Sequence, residues 1–439
     1  MFAVPLLAGC APHHRSLSSR MHDSPEAAAR LRHAQIFTLI AAFLGWMFDG
    51  LEMGIFPLVA NPALQEMNGG VFDKAFNDTW MGYITCTFLL GAAAGGLIFG
   101  WLGDRIGRVR AMILSVLAYS IFTGLNYFAH TPWQLALFRF ISALGMGGEW
   151  SLGVALVMEA WPRDKRPLMA GVIGAAANVG YALIALLSIR FHITTDSWRW
   201  VMLVGAAPAL LALIISHHVP ESERWKESVE KEGKAANPLR TVFSGALLKN
   251  TLLAISFASV ALIATWCSVQ WFPLWMREMP GGIDHPEWKG TVQLASSIGA
   301  IIGCLIAPAI GALLGRRVAY FLLCLGSIIA CNVIFRVFHE YSTMFVITAG
   351  VVGAFSASFY GWLPLYLPEL FPTRVRATGQ GVAFNSGRIL AAVVALNTGT
   401  INHYFGSYAK AGIWIVSVYL IGMVLIWFAP ETKDRPLPE

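Results

Sequence analysis

The chain has 439 residues, 56% of them hydrophobic and 13% charged, with a net charge of +6. A soluble chain of this length needs roughly a quarter of its residues charged to coat two or three domains, so this composition excludes a water-facing shell and makes lipid the solvent. The positive balance does not mark nucleic-acid binding, because the basic residues follow a membrane topology, and the six cysteines (Cys10, Cys86, Cys267, Cys304, Cys324, Cys331) show no metal-ligand spacing.

The opening MFAVPLLAGC superficially resembles a lipoprotein cleavage site but lacks a basic region, and a true start at Met21 accounts for it equally well. Residues 1–34 are read as a cytoplasmic tail. Apolar stretches long enough to cross about 30 Å of hydrocarbon then recur twelve times, at 35–60, 79–101, 111–129, 133–160, 168–190, 198–219, 250–275, 290–314, 317–338, 342–367, 377–398 and 407–429. The one long charged segment between them, 220–249, separates a six-helix bundle at 35–219 from another at 250–429, and 430–439 forms a C-terminal tail. With both termini in the cytoplasm, 22 of the 31 Lys and Arg residues face inward and 7 outward, while Arg139 and Arg388 lie within spans. That is the positive-inside bias of a plasma (inner) membrane protein.

The halves repeat. Glu159-x-x-Pro162-x-x-x-Arg166-x4-Gly171 recurs as Glu369-x-x-Pro372-x-x-x-Arg376-x4-Gly381, and Pro220-Glu221-Ser222 recurs as Pro430-Glu431-Thr432, each displaced by 210 residues. Gly103-x3-Gly107-Arg108 recurs as Gly311-x3-Gly315-Arg316, displaced by 208. Two parallel repeats about an axis normal to the membrane, with solute held between them, is a known transporter plan.

Residues 100–110, GWLGDRIGRVR, resemble the Gly-x-x-x-Asp-Arg-x-Gly-Arg loop motif of the major facilitator superfamily. The copy at 311–317 lacks the Asp, which implies an asymmetric gate. VPESERW, APETK and ELFPTRVR are similar to sugar-porter signatures, whereas FDGLE, RFISALGMGGEW and NSGRILAA are similar to organic-anion branches that include aromatic-acid and sialic-acid proton symporters. The seventh span, ATWCSVQWFPLW, lacks the glutamine-rich motif of sugar porters. The resemblance implies an all-α membrane protein of twelve transmembrane helices in two pseudo-symmetric six-helix bundles, working by alternating access.

Ionisable groups inside a bilayer are expensive and are functional candidates by default. Asp49 and Glu52 share a face of span 1, with Asp49 about 21 Å from the cytoplasmic end. Arg139 of span 4 lies at similar depth, about 9 Å from the outer face, so depth pairs it with Asp49. A substrate anion that takes the arginine leaves the carboxylate readier to accept a proton; Glu52 is the alternate carrier, and Glu149 a relay or a packing contact. Arg388, about 16 Å along span 11 and aligned by the repeat with Asn178, offers a planar fork for a carboxylate, with Arg139 sharing this work. Asn178, Gln270, Trp271, Gln293 and Tyr360 are candidates for the pocket wall. Gly100, Asp104, Arg105, Gly107, Arg108, Glu159, Arg166, Glu369 and Arg376 form the candidate cytoplasmic gate, whose carboxylate–arginine pairs hold one conformation shut.

GxxxxGK[ST], HExxH, GxSxG and CxxC are all missing from the sequence, so no enzyme, cofactor or metal site is expected. The expected partners are the bilayer, protons and a small solute, with the protein acting as a monomer. The leading function is proton symport of a sialic, sugar or aromatic acid; the alternative is uptake of a neutral sugar or polyol.

Overall fold

The computed structural model describes residues 25–191, 193–232, 237–245, 247–266, 272, 275–276, 279–281, 285, 287–397 and 404–438. Gln270 and Trp271, singled out above, lie outside the described residues. Among those described there are helices and turns and no strands. The first five crossings are α1 (Pro25–Met67), α2 (Lys74–Ile106), α3 (Arg108–Leu125), α4 (Pro132–Ala160) and α5 (Arg166–Arg190). A sixth is broken into α6 (Trp198–Val204) and α7 (Ala209–His218), and the linker carries α8 (Glu223–Glu232) and α9 (Pro238–Val242). The second half contains α10 (Leu247–Trp266), α11 (Glu287–Leu314), α12 (Arg316–Val337), the consecutive pair α13 (Thr343–Ser356) and α14 (Phe359–Leu370), α15 (Arg376–Leu396), and the pair α16 (Tyr408–Ile415) and α17 (Val418–Leu425).

Ten stretches are long and apolar enough to cross a bilayer by length and composition. The other two of the twelve fall short for visible reasons. Turns at 205–208, ending in Pro208, interrupt the sixth, and α15 places Arg376, Gln380, Asn385 and Arg388 in its own core-facing surface, where all four are buried. Loop chemistry repeats as the sequence does. Thr131 closes a capping box with Gln134 at the start of α4, and Ser342, 211 positions later, accepts from the backbone N–H of Phe345 at the start of α13.

The bundles meet along two seams, α2 against α15 and α5 against α11. The repeat maps α2 onto α11 and α5 onto α15, so each seam is the image of the other. At the end that carries the linker and the C-terminal tail (the linker end), the two halves also build matching lattices. Gly107 (φ 108) precedes α3 and Gly315 (φ 96) precedes α12. The backbone N–H of Arg108 donates to Glu221 (2.8 Å) and that of Arg316 to Glu431 (3.0 Å). Their guanidiniums donate back to Gly103 O (2.9 Å) and Gly311 O (2.7 Å). Glu159 takes the Ser222 hydroxyl and Glu369 the Thr432 hydroxyl.

Gly107 combines a backbone conformation that suits only glycine with a Cα facing the Glu221 carboxylate. Gly107→Ala is expected to destabilise the fold by about 1–3 kcal/mol, read as a lower unfolding midpoint in detergent; an unchanged midpoint would show that the turn relaxes freely.

Candidate functional site

A cavity lies between the bundles. Its walls come from α1 (Trp46, Met53), α5 (Asn178, Tyr181), α10 (Thr265, Trp266), α11 (Gln293, Ser296, Ser297), α13 (Ser356), α14 (Tyr360) and α15 (Phe384, Arg388), with apolar residues between them. Arg388 is the only charged residue in that lining among the described residues. It is 2% exposed, its Nη1 donates to Asn385 Oδ1 at 2.9 Å, and its guanidinium carbon stands 5.0 Å from the centroid of the Phe384 ring. No other hydrogen bond holds it among the described residues, so most of its N–H donors are left for a ligand. Asn178 and Arg388, paired by the repeat, face the same cavity from opposite bundles. Gln293 donates weakly to Ser297 (3.4 Å), one helical turn away on the same wall.

Behind this wall the first bundle buries three carboxyl groups. The structure corrects the pairing expected from depth. Arg139 binds Glu52, at 2.9 Å with both side chains 1% exposed, and not Asp49. It is sandwiched near the rings of Phe56 (4.4 Å) and Phe88 (4.7 Å) and is not among the residues lining the cavity that Arg388 faces. Asp49 instead lies within hydrogen-bonding reach of Glu149 and at electrostatic range of Arg388. Glu149 packs over Gly45, one turn before Asp49 on α1, where any side chain would overlap its carboxyl. All four oxygens of Asp49 and Glu149 are buried with no N–H or O–H donor among the described residues.

Between this level and the linker end, charged contacts tie the bundles together. Asp104 holds Arg108 at 2.8 Å and accepts from the backbone N–H (2.8 Å) and hydroxyl (2.6 Å) of Thr378 in the first turn of α15. There the helix dipole favours an anion. Arg108 also donates to Thr373 O (2.8 Å), and Glu159 binds Arg376 of the other half (2.9 Å). The repeat partner of Asp104 is Ala312, which has no carboxylate with which to make the same contact in the other half. Three other gate candidates make their contacts within their own half. Glu369 binds Arg316 (2.8 Å), Arg166 donates to the Met158 and Trp161 carbonyls, and Arg105 lies exposed over the Trp101 ring. Gly100 abuts the Ala377 backbone of α15, and Gly107 shapes the turn.

A family model of the Major Facilitator Superfamily matches residues 36–395. The chain belongs to the major facilitator superfamily. Its members are multi-pass membrane transporters, not enzymes, and this chain is one of them. The cis,cis-muconate transport protein of Acinetobacter baylyi is 26% identical over 414 residues, spanning 92% of this chain and 96% of its own. The sialic acid transporter NanX of Escherichia coli is 24% identical over 388 residues, spanning 88% and 92%. The proton:xylose symporter XylE, solved with 6-bromo-6-deoxy-D-glucose, shares the fold with a TM-score of 0.73 at 17% identity, covering 92% of this chain and 98% of its own.

As a major facilitator protein, the chain has cavity residues that sequence reading passed over. Tyr181 follows Asn178 by one turn, Ser296 and Ser297 follow Gln293 by one turn, and Phe384 precedes Arg388 by one turn. Helical period from the residues already chosen would have found all four. Trp46 precedes Asp49 by one turn, so the same period would have reached it as well.

Proposed function

We propose that this transporter carries a small organic carboxylate in symport with a proton. The observation that carries the reading is Arg388, the one charged group among the described residues lining a cavity whose other walls are aromatic, amide, hydroxyl and apolar. A buried guanidinium favours an anion, the flat faces of Trp46, Phe384 and Tyr360 suit a planar or ring-bearing body, and the amides and hydroxyls serve its polar substituents. The relatives named for cis,cis-muconate and sialic acid support an acid as solute. The fold shared with a xylose symporter keeps a neutral sugar as the alternative.

Proton coupling rests on charge. Asp49, Glu52 and Glu149 set three negative charges against the two positive charges of Arg139 and Arg388, and all five are buried. A substrate carboxylate on Arg388 removes the cation that offsets Asp49, so the anion and the proton enter together. The linker end is the cytoplasmic one, which puts both termini inside a plasma (inner) membrane. The bundles at 35–219 and 250–429 rock about 220–249, and each monomer is a complete unit.

The test is uptake into proteoliposomes with an inward proton gradient, comparing cis,cis-muconate, nicotinate and N-acetylneuraminate with xylose and glucose. The expected result is gradient-dependent accumulation of at least one acid that an uncoupler abolishes. Accumulation of sugars alone would overturn the anion reading, and uptake indifferent to the uncoupler would overturn coupling.

A further inference from the structure

Two side chains next to Arg388 belong both to the cavity level and to the seam between bundles. Phe384 stacks face to face on Trp150 of α4, with centroids 4.1 Å apart and planes at 17°, and meets Trp46 of α1 edge-on at 6.0 Å. Asn385 presses its amide against the Cα of Gly96 on α2, where an added methyl would overlap the amide nitrogen. Its Nδ2 donates to Gly381 O at 2.9 Å, and Gly381 itself abuts Gly96 O. Phe384 and Asn385 are each 1% exposed. Along α15 they stand about 9 Å outward of Thr378, between the cavity and the clasp made by Asp104.

We infer that Phe384 and Asn385 transmit occupancy of Arg388 to the seam: a ligand on the guanidinium withdraws the two contacts that plug α15 into α2 and α4. This deepens the proposed function and rests on Arg388 receiving the substrate carboxylate. The same guanidinium donates to Asn385 Oδ1 and lies over the Phe384 ring. A carboxylate offers that N–H a charged acceptor, which outcompetes a neutral amide oxygen. Asn385 then keeps a buried oxygen without a donor, a state that is costly in an apolar seam and is relieved when the amide leaves the Gly96 notch. Movement of Arg388 off the Phe384 ring removes the cation that steadies the ring against Trp150. Ligand binding therefore favours the state in which the linker end is open, through a contact difference located at these two residues.

The experiment uses the full chain in lipid nanodiscs, with spin labels at Arg110→Cys and Leu313→Cys on exposed sites of the two halves at the linker end. Cys10, Cys86 and Cys267 are replaced by serine. Without ligand, Asn385→Ala and Phe384→Leu are expected to raise the ratio of long to short label distances about three- to tenfold, and Trp150→Leu, from the other side of the stack, to do the same. Trp150→Phe, which preserves a stacked ring outside the cavity wall, should match the parent protein. In the parent protein, saturating cis,cis-muconate should lengthen the distance; in Asn385→Ala this ligand-induced change should be largely lost while the ligand still binds, as read by tryptophan fluorescence. Well-folded Asn385→Ala, Phe384→Leu and Trp150→Leu proteins with the parental ligand-free distribution would overturn the inference, as would an undiminished ligand response in Asn385→Ala. If no carboxylate binds the parent protein, the anion reading fails, while the ligand-free comparison still decides whether these residues hold the seam.

Discussion

Arg388→Gln is expected to abolish concentrative uptake of the carboxylate while the protein still inserts and folds. The side chain is buried and, among the described residues, hydrogen-bonded only to Asn385, whose oxygen a glutamine N–H can still meet, so the substitution is expected to spare the fold. What it removes is the positive charge that a desolvated anion needs. Truncating one partner of a buried charge pair costs about 2–5 kcal/mol, which corresponds to roughly 30-fold to a few thousandfold weaker binding. Arg388→Lys restores the charge without the planar fork and should fall between the two, because a point charge cannot bind a carboxylate through two parallel N–H donors. Direct titration separates this from a structural role: affinity should collapse in Arg388→Gln while the unfolding midpoint moves little. Carboxylate uptake at the parental rate would remove Arg388 from the binding site.

Much of this site was legible because membrane proteins reveal themselves through what lipid forbids. A guanidinium in an apolar run had to be explained, and a 210-residue repeat placed it opposite Asn178; both reach the same cavity. The motif at Gly100–Arg110 and its copy without Asp pointed to an asymmetric gate, and Asp104 bonds Thr378 across the seam where its repeat partner Ala312 has no carboxylate. Pairing was not legible. Counting rise per residue gives the height of a side chain along a helix and says nothing of the direction it faces or of which helix stands beside it. Asp49 and Glu52 differ by three positions, enough for one to reach Glu149 and the other Arg139. Glycine decided the matter: Gly45 leaves room on α1 for the Glu149 carboxyl, and no hydrophobic count over that segment shows it. The aromatic stack between Trp150 and Phe384 was hidden for a related reason, since a tryptophan in a span reads equally well as core, lipid-facing or interfacial until its neighbour across the seam is known.

Asp49→Asn is expected to keep exchange and lose accumulation. The parent pair, Asp49 and Glu149, has four buried oxygens and no donor except a proton taken from solution. An asparagine supplies a permanent N–H in the same place, so the pair stays satisfied in every conformation and the bundles can still rock around a loaded cavity. Counterflow of labelled substrate against unlabelled substrate should therefore continue at a rate comparable with that of the parent protein. Net uptake driven by a proton gradient should not, because no group at this site then changes its proton count between the two faces. A gradient of about one pH unit supports at most about tenfold accumulation in one-to-one symport; in Asp49→Asn the internal concentration should level off at the external one. Glu149→Gln should behave in the same way, since either amide can donate to the remaining carboxyl. Glu52→Gln differs: it strands Arg139 without a charged partner among its aromatic neighbours, so its main effect should be loss of folded protein. Sustained accumulation in both Asp49→Asn and Glu149→Gln would show that the coupling proton rides elsewhere. The contrast between exchange and accumulation therefore tests the chemistry of the pair separately from its contribution to packing.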